Sequence, residues 1–253
     1  MTPGLWTARQ LLLALGLWLL SGVLLWAVFW YWPLDAWSIA PYVGQAGQWF
    51  PWREHPALAV LSHVWVKRLA IATGLLAGLG ALAGWRNPRW RDWCWPGGFV
   101  VAAMLLSPGV VGLFKRFSHH SCPWDLQVYG GRAAEFALFA AVPEQAGAGR
   151  CFPGGHAASG FALLAFFWVA RSARLPRAGW YAAAALLIGL AMGWAQVMRG
   201  AHFWSHNLWT LWWTVGVQAA LWVLMSHWAA RSGATLAAPP GMLSGFRVVQ
   251  VRR

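Results

Sequence analysis

Residues 11–32 read LLLALGLWLLSGVLLWAVFWYW, an uncharged run of 22 residues that decides the class of fold. A helix needs roughly 20 apolar residues to cross the hydrocarbon core of a bilayer, and this run has that length. Of the 253 residues, 59% are hydrophobic and 10% are charged, whereas soluble domains carry about 25% charged residues. We therefore expect an integral membrane protein and exclude an ordinary water-soluble enzyme.

Five further apolar runs follow, so the sequence predicts six spans, at residues 11–32, 69–85, 94–114, 155–170, 180–198 and 207–230. The predicted fold class is an all-α, six-span transmembrane helix bundle. It forms one membrane domain over residues 1–230, followed by a basic, flexible cytoplasmic tail at 231–253. Outside the spans, residues 33–66 predict one or two short helices at the membrane surface, and residues 132–142 predict another short helix.

The basic residues orient the spans, because cytoplasmic loops are enriched in Lys and Arg. With six spans, eleven basic residues and Asp92 share one side, a balance of +10. The other side has eight basic residues and five acidic ones, a balance of +3. Both termini are therefore predicted to be cytoplasmic. Most of the net charge of +13 therefore lies in the predicted cytoplasmic loops and reflects the orientation of the protein in the membrane. We predict no nucleic-acid partner.

Tryptophan is unusually frequent, with 23 residues. Its ring is favoured where hydrocarbon meets water. Four of them cluster at the outer end of the last span: Trp204, Trp209, Trp212 and Trp213. We interpret these four as anchors at the membrane interface rather than as ligands.

Polar residues gather in three short strings at the outer ends of the last four spans. The strings are KRFSHHSCPWD at residues 115–125, RCFPGGH at 150–156 and QVMRGAHFWSH at 196–206. Ionisable residues at membrane depth are costly, so such strings indicate a functional site.

The second string has the residue pattern of an anion-binding helix N-terminus. Pro153 and two glycines precede an apolar helix, which places bare backbone N–H groups at a helix N-terminus. Such a terminus binds anions, and His156 would lie in its first turn. A plain Pro-Gly turn into a helix is the alternative for this string alone.

The third string adds a spacing argument. His202 and His206 are four residues apart and share one face of a helix, with Arg199 three residues before His202. A metal site or an interfacial histidine pair would also fit that spacing. Together with Lys115 and His156, these residues favour phosphoryl transfer, in which cations bind the phosphate, one histidine attacks and another protonates the leaving oxygen.

The three strings resemble the three signature motifs of the type 2 phosphatidic acid phosphatase (PAP2) superfamily. The family's motifs are Lys-x6-Arg-Pro, Pro-Ser-Gly-His and Ser-Arg-x5-His-x3-Asp. The matching residues are Lys115, Pro123, Pro153, Gly155, His156 and His202. The departures are Cys122 and Gln196 at the two arginine positions, Gly154 and Ala195 at the two serine positions, and His206 at the aspartate position.

The resemblance implies a mechanism for this chain. His202 would be the nucleophile that forms a phosphohistidine, His156 the general acid, and His206 the group that orients His202. The residues implied to hold the phosphate are Lys115, Gly154, Gly155, Gln196 and Arg199, with Arg199 supplying a missing guanidinium. The family needs no metal and no cofactor, so none is expected here.

The same resemblance implies the substrate and the location. A lipid phosphomonoester or lipid diphosphate would be hydrolysed at the outer face of the membrane. The enzyme would be a multi-pass protein of the bacterial inner membrane with its site facing the periplasm. The sequence identifies neither the head group nor the oligomeric state.

Two of the three cysteines, Cys122 and Cys151, fall on the predicted outer side. An even pair in an oxidising compartment favours a disulfide, and for a loop of about 30 residues its stabilisation is roughly 3–4 kcal/mol. Two free thiols are the alternative.

Three other functions compete with a lipid phosphatase. The altered motifs leave open a catalytically weak or inactive PAP2-like protein that only binds a lipid phosphate. A transporter would place its polar residues near the middle of the bilayer, and a haem protein would need histidines deep in facing helices. Both are disfavoured because the polar strings lie at span ends. A metal site built from His119, His120 and the other histidines is disfavoured relative to a solvated loop.

Overall fold

A computed structural model describes residues 6–45, 49–60 and 65–232. In these ranges the chain is helical, and no strand is present beyond an isolated bridge between Leu126 and Ala133. The helices are α1 Ala8–Tyr31, α2 Leu34–Ile39, α3 Pro56–Val60, α4 Val66–Arg86, α5 Cys94–Phe117, α6 Gly155–Phe161, α7 Ala165–Ser172, α8 Gly179–Met198 and α9 Trp204–Ser232. Short 3-10 helices lie at Ala40–Tyr42, Pro88–Trp93, Pro123–Asp125, Gln127–Tyr129 and Ala162–Leu164.

Within the described ranges, five helical segments are long and apolar enough to cross a membrane: α1, α4, α5 with the 3-10 turn before it, α8 and α9. They confirm five of the predicted spans, with ends that differ by a few residues. The run predicted at 155–170 is divided into α6, a 3-10 turn and α7. None of these pieces is long enough alone, so the six-span count stays a prediction, as does the orientation of the termini.

Local sequence signals place several helix ends. Before α1, the Thr7 hydroxyl accepts a hydrogen bond from the Gln10 N–H, and the Gln10 side chain accepts one from the Thr7 N–H. This reciprocal arrangement satisfies backbone donors that the first turn leaves free. The helix stops two residues before Pro33, since a residue that precedes proline is disfavoured in the α conformation.

The segments outside the spans agree with the prediction in one case and contradict it in another. The described residues between 33 and 60 contain two short helices, α2 and α3, as expected, while their place at the membrane surface stays a prediction. The short helix predicted at 132–142 is wrong, because that backbone is irregular. Its hydrogen bonds go to other loop residues instead of along a helix: Ala133 N–H donates to Asp125, and Ala134 N–H donates to Gln145. The predicted tail lies outside the described residues from 233 onward.

Two tryptophans attach α1 to α9. The rings of Trp18 and Trp212 stack with centroids 3.9 Å apart, and each indole N–H donates to the other residue's carbonyl, at 3.1 and 2.9 Å. Each ring also covers a glycine of the opposite helix, Trp212 over Gly22 and Trp18 over Gly216. Trp212 is therefore a helix-packing residue, not the interfacial anchor that the sequence suggested.

The two arginine-rich connections after α4 and α7 lie at the same end of the bundle. Trp90 and Trp93 of the first connection line a cavity together with Leu175 and Tyr181, which follow α7. The orientation was predicted on the assumption that these two connections lie on the same side of the membrane, and their shared end agrees with that assumption.

Asp35 joins α2 to the start of α9. Its carboxylate Oδ1 accepts a hydrogen bond from the N–H of Ser205, the second residue of α9, at 2.9 Å. The first N–H groups of a helix have no partner within it, so Asp35 acts as a cap supplied from 170 residues away. Although Asp35 as a residue is only partly buried, its carboxyl is enclosed, and this desolvation raises its pKa from 3.8 to about 6.

We predict that Gly22→Leu weakens the attachment of α1. A Cβ at Gly22 would lie 2.8 Å from the Trp212 ring, and such overpacking costs about 1–3 kcal/mol. The thermal unfolding temperature in detergent should fall. Gly16→Leu on the same helix is the matched control, because nothing lies within 4 Å of its Cβ position. Equal unfolding temperatures for the two variants would contradict this packing.

We predict that Asp35→Asn makes the protein less sensitive to pH. A carboxyl whose pKa is higher in the folded chain than in the unfolded chain holds its proton more tightly when folded. Stability from this group is therefore lost as pH rises from about 4 to about 6, by at most about 3 kcal/mol. Asparagine cannot ionise but keeps an oxygen for the Ser205 N–H.

Thermal unfolding measured from pH 4 to 7 should show a shallower decline for Asp35→Asn than for the unmodified protein. Asp35→Ala should be destabilised throughout, because it removes the cap, at a cost of about 0.5–2 kcal/mol. Asp125→Asn, at an exposed carboxyl, is the control. The assignment fails if Asp125→Asn alters the pH dependence as much as Asp35→Asn does.

Candidate active site

The histidines of the second and third strings meet at one end of the bundle, where α6 and α9 begin. His156 is the second residue of α6, and His202 lies in the turn between α8 and α9. Their ring centroids are 5.7 Å apart, and His202 is 1% exposed. The fold thus brings together two histidines that are 46 residues apart in the sequence.

Lys115 reaches the same place from the last turn of α5. A Cβ placed on Gly155 would lie 3.7 Å from the Lys115 Nζ, so the ammonium lies beside the first residue of α6. The positive charge and the start of this helix therefore face the same small volume. Both features attract an anion.

Gly154 has a different role from the predicted one. Its N–H donates to the His206 carbonyl at 3.0 Å, and its carbonyl accepts from the Thr210 hydroxyl at 2.9 Å. The Gly154 amide is therefore already used inside the protein, which corrects its assignment as a phosphate ligand. A Cβ at this position would lie 2.5 Å from Asn207 Oδ1, so the serine of the family's motif would require the Asn207 side chain to move.

The sulfur of Cys151 contacts His202. Cys151 is bonded to Cys122, with the two Cα atoms 5.1 Å apart, and its Sγ lies 3.4 Å from His202 Nδ1. A disulfide sulfur has no hydrogen, so this contact is a hydrogen bond only when Nδ1 is protonated. That tautomer leaves the lone pair of His202 on Nε2. The contact of Sγ with the Ala201 carbonyl at 2.9 Å is, for the same reason, not a hydrogen bond.

His202 therefore has a neighbour at Nδ1 other than His206, whose orienting role stays a prediction. The ring of His206 lies edge-on to His202, with centroids 5.7 Å apart, while the sulfur of Cys151 occupies the position beside Nδ1. The Nδ1 of His206 is buried and has no hydrogen-bond partner among the described residues. The contact of Cys151 with His202 is one that the motifs did not predict, although Cys151 lies only two residues before Pro153.

Burial sets the protonation state of His202. Desolvation, followed by the charge of Lys115, holds the pKa of His202 well below its ordinary value of 6.5. The imidazole is therefore neutral at pH 7. A neutral ring with an unprotonated nitrogen is the form that a nucleophile requires.

Arg199 and Gln196 support the turn that carries His202. The guanidinium of Arg199 donates through Nε to the Arg53 carbonyl at 2.8 Å and through Nη1 to Gln196 Oε1 at 3.3 Å. The Gln196 carbonyl accepts from the N–H groups of Ala201 and His202. These contacts hold the turn in place, and a direct role of Arg199 or Gln196 in phosphate binding stays a prediction.

One group of side chains has the spacing of a metal site. The ligand atoms of Cys151, His202 and His206 lie within 4.8 Å of one another. While Cys151 is in a disulfide it offers no thiolate, so two imidazoles remain, which fits a protein metal site poorly. His120, from the metal site considered above, instead stacks on Phe136 with centroids 4.3 Å apart, and burial lowers its pKa to about 4.

A known protein family matches the part of the chain that contains these site residues. The model of the PAP2 superfamily matches residues 96–231, more than half of the chain, and includes all three strings. No curated protein and no solved structure matches the chain. The chain therefore belongs to the PAP2 superfamily, whose members are typically phosphatases.

Proposed function

We propose that the protein is a membrane phosphatase that hydrolyses the phosphomonoester or diphosphate of a lipid through a phosphohistidine. The observation that carries this proposal is the convergence of buried, neutral His202 with His156 and Lys115 at the start of α6. A lipid is favoured over a soluble ester because the site lies at the ends of apolar helices long enough to span a membrane.

In the first step, the Nε2 lone pair of His202 attacks phosphorus and forms an N–P bond. The bond from phosphorus to the leaving oxygen breaks, and His156 donates the proton that this oxygen needs. Lys115 and the Gly155 N–H stabilise the charge on the other phosphoryl oxygens. Such groups, already in position, lower the barrier because they need no reorganisation as the reaction proceeds.

In the second step, water attacks the phosphohistidine. His156 accepts a proton from the water, the N–P bond breaks, and inorganic phosphate leaves with His202 neutral again. With a lipid diphosphate the sequence is the same, except that the leaving group is the lipid monophosphate. The contact of Cys151 Sγ with Nδ1 keeps His202 in the reactive tautomer for the next cycle.

The proposed location is the bacterial inner membrane, with both termini cytoplasmic and the site facing the periplasm. The segment 155–170 would be the fourth of six spans, in addition to the five long helices. The excess of arginines on the opposite side supports that orientation. A disulfide beside the site also favours an oxidising compartment. A lipid-phosphate-binding protein without activity is the second candidate, supported by Gln196 and Cys122 at the family's two arginine positions.

We predict that His202→Ala and His202→Gln abolish phosphate release from a lipid phosphate, because no other group would form the N–P bond. Release from detergent-solubilised protein with short-chain lipid phosphates and diphosphates, with and without chelator, is the measurement. The unmodified protein should also trap radiolabelled phosphate in an acid-labile, base-stable form, and the His202 variants should not.

His119→Gln is the matched control, because His119 is exposed and lies in a loop near the site in the sequence. It should retain activity within about twofold. Turnover by His202→Ala at the level of this control would refute the nucleophile. Lipid-phosphate binding without turnover by the unmodified protein would support the second candidate.

We predict that the disulfide forms in the cell. The denatured protein, isolated with thiols blocked against exchange, should show one reactive thiol, that of Cys94, and three after reduction. Cys122→Ser should show two thiols with or without reductant. Three thiols in unreduced, unmodified protein would contradict the prediction.

A further inference from the structure

Three buried side chains of the kinds that bind metal ions meet beside the start of α6. Cys151, His202 and His206 are 0%, 1% and 5% exposed, and their ligand atoms all lie within 4.8 Å of one another. The sulfur belongs to the disulfide with Cys122, so the three residues can bind a metal only while the two cysteines are reduced. Every newly made chain is in that reduced state before the disulfide forms.

The distances between these atoms suit a small tetrahedral ion. Zinc bonds to sulfur at about 2.3 Å and to nitrogen at about 2.0–2.1 Å, which places the two ligand atoms roughly 3.5 Å apart. Cys151 Sγ and His202 Nδ1 are 3.4 Å apart. Because the largest separation in the group is at most 4.8 Å, His206 would have to approach by about 1 Å. Among the described residues, no hydrogen bond to its Nδ1 opposes that movement.

The thiolate of Cys151 decides whether a cation is attracted. The ammonium of Lys115 lies beside Gly155, and its charge acts on His202. Two neutral imidazoles close to that ammonium offer a cation no negative charge. A thiolate adds one negative charge and a soft ligand that zinc prefers. The same three residues should therefore bind zinc in the reduced protein and not in the oxidised protein.

We propose that Cys151, His202 and His206 bind one zinc ion while Cys122 and Cys151 are reduced, and that formation of the disulfide abolishes this site. On binding, the thiol of Cys151 loses its proton to solvent and forms a Zn–S bond, and water takes the fourth position. When the cysteines are oxidised by exchange with another protein's disulfide, their two protons and two electrons pass to the sulfurs of that disulfide. The Zn–S bond breaks, because the sulfur no longer carries a negative charge.

Zinc binding would also block the nucleophile, and this consequence rests on the proposed function. Nδ1 is the atom of His202 that faces the sulfur. Coordination uses the Nδ1 lone pair, so the proton of the neutral ring then lies on Nε2, the atom proposed to attack phosphorus. The disulfide thus keeps His202 free of metal, which gives Cys122 a function at the position where the family has an arginine.

Cys122→Ser tests the site without any reductant, because it leaves Cys151 as a free thiol. The matched control is the double variant Cys122→Ser/Cys151→Ser, which has the same two imidazoles and no thiolate. Cys94 is a free thiol in both and contributes the same background. Zn²⁺ binding is measured by equilibrium dialysis of the full-length protein in detergent. Co²⁺ serves as the spectroscopic probe, because a thiolate ligand gives it a charge-transfer absorption band.

Cys122→Ser should bind one Zn²⁺ with a Kd at least about a hundredfold lower than that of the double variant, because even second-shell changes weaken metal binding 10–100-fold. It should show the thiolate-to-cobalt band, and the double variant should show none. The unmodified, oxidised protein should match the double variant. Equal Zn²⁺ affinity in Cys122→Ser and the double variant, or tight binding by the oxidised protein, would overturn the proposal.

The unmodified protein repeats this comparison if Cys122→Ser does not fold. A water-soluble phosphine reduces the disulfide to two thiols and is itself oxidised to the phosphine oxide, with water supplying the oxygen and the protons. The reduced protein should gain the cobalt band and one tightly bound Zn²⁺ relative to the oxidised protein. Reduction that produces both thiols without tighter Zn²⁺ binding would overturn the proposal.

Phosphate release tests the consequence separately from the binding. Zn²⁺ at a concentration that fills the site should lower turnover by Cys122→Ser at least about tenfold, and a chelator should restore it. The double variant should change less than about twofold under the same conditions. Full turnover with zinc bound would refute the block of His202. If no protein releases phosphate, with or without chelator, the proposed function fails, and dialysis and the cobalt band still decide whether the metal site exists.

Discussion

The candidate site depends on the attachment of Gly154 to α9. Two hydrogen bonds, to the His206 carbonyl and from the Thr210 hydroxyl, fix the residue that precedes α6. They therefore set where His156 and the first amides of α6 lie relative to His202. A side chain at Gly154 would displace Asn207, because Asn207 Oδ1 fills the space beside it. Asn207 itself is fully buried and donates to the carbonyls of Gly193 and Phe203, which ties α8 to the same point.

The packing around Gly154 and the disulfide of Cys122 give a physical account of two departures from the family's motifs. Glycine replaces serine where Asn207 Oδ1 lies 2.5 Å from the position of a Cβ. Cys122 stands at an arginine position and is bonded to Cys151, whose sulfur lies next to His202 Nδ1. The residue at an arginine position of the family's first motif is thus part of a disulfide that contacts His202, the proposed nucleophile. For Gln196 the account is similar, since its side chain accepts a hydrogen bond from Arg199 and its carbonyl holds the turn before His202.

Charge is distributed unevenly around the site. Lys115 lies beside the first residue of α6, whereas Asp35 and Glu135 line a cavity next to the end of α1, together with His206. Besides lining this cavity, Asp35 caps α9, the helix that carries His206. Trp209, expected from sequence to anchor the membrane interface, is 6% exposed and lines this cavity instead.

Apolar run length and residue order alone determined the helical class, five of the spans and the grouping of Lys115, His156 and His202, because these depend on local composition and on motifs short enough to read along the chain. The sequence could not show that residues 132–142 are irregular, because their hydrogen bonds go to loop residues such as Asp125 and Gln145. Nor could it show that Asp35 caps α9, or that Gly154, Cys151 and Asn207 pack around the histidines. Those facts concern atoms that are far apart along the chain, and only the packing of the helices decided which of them are in contact.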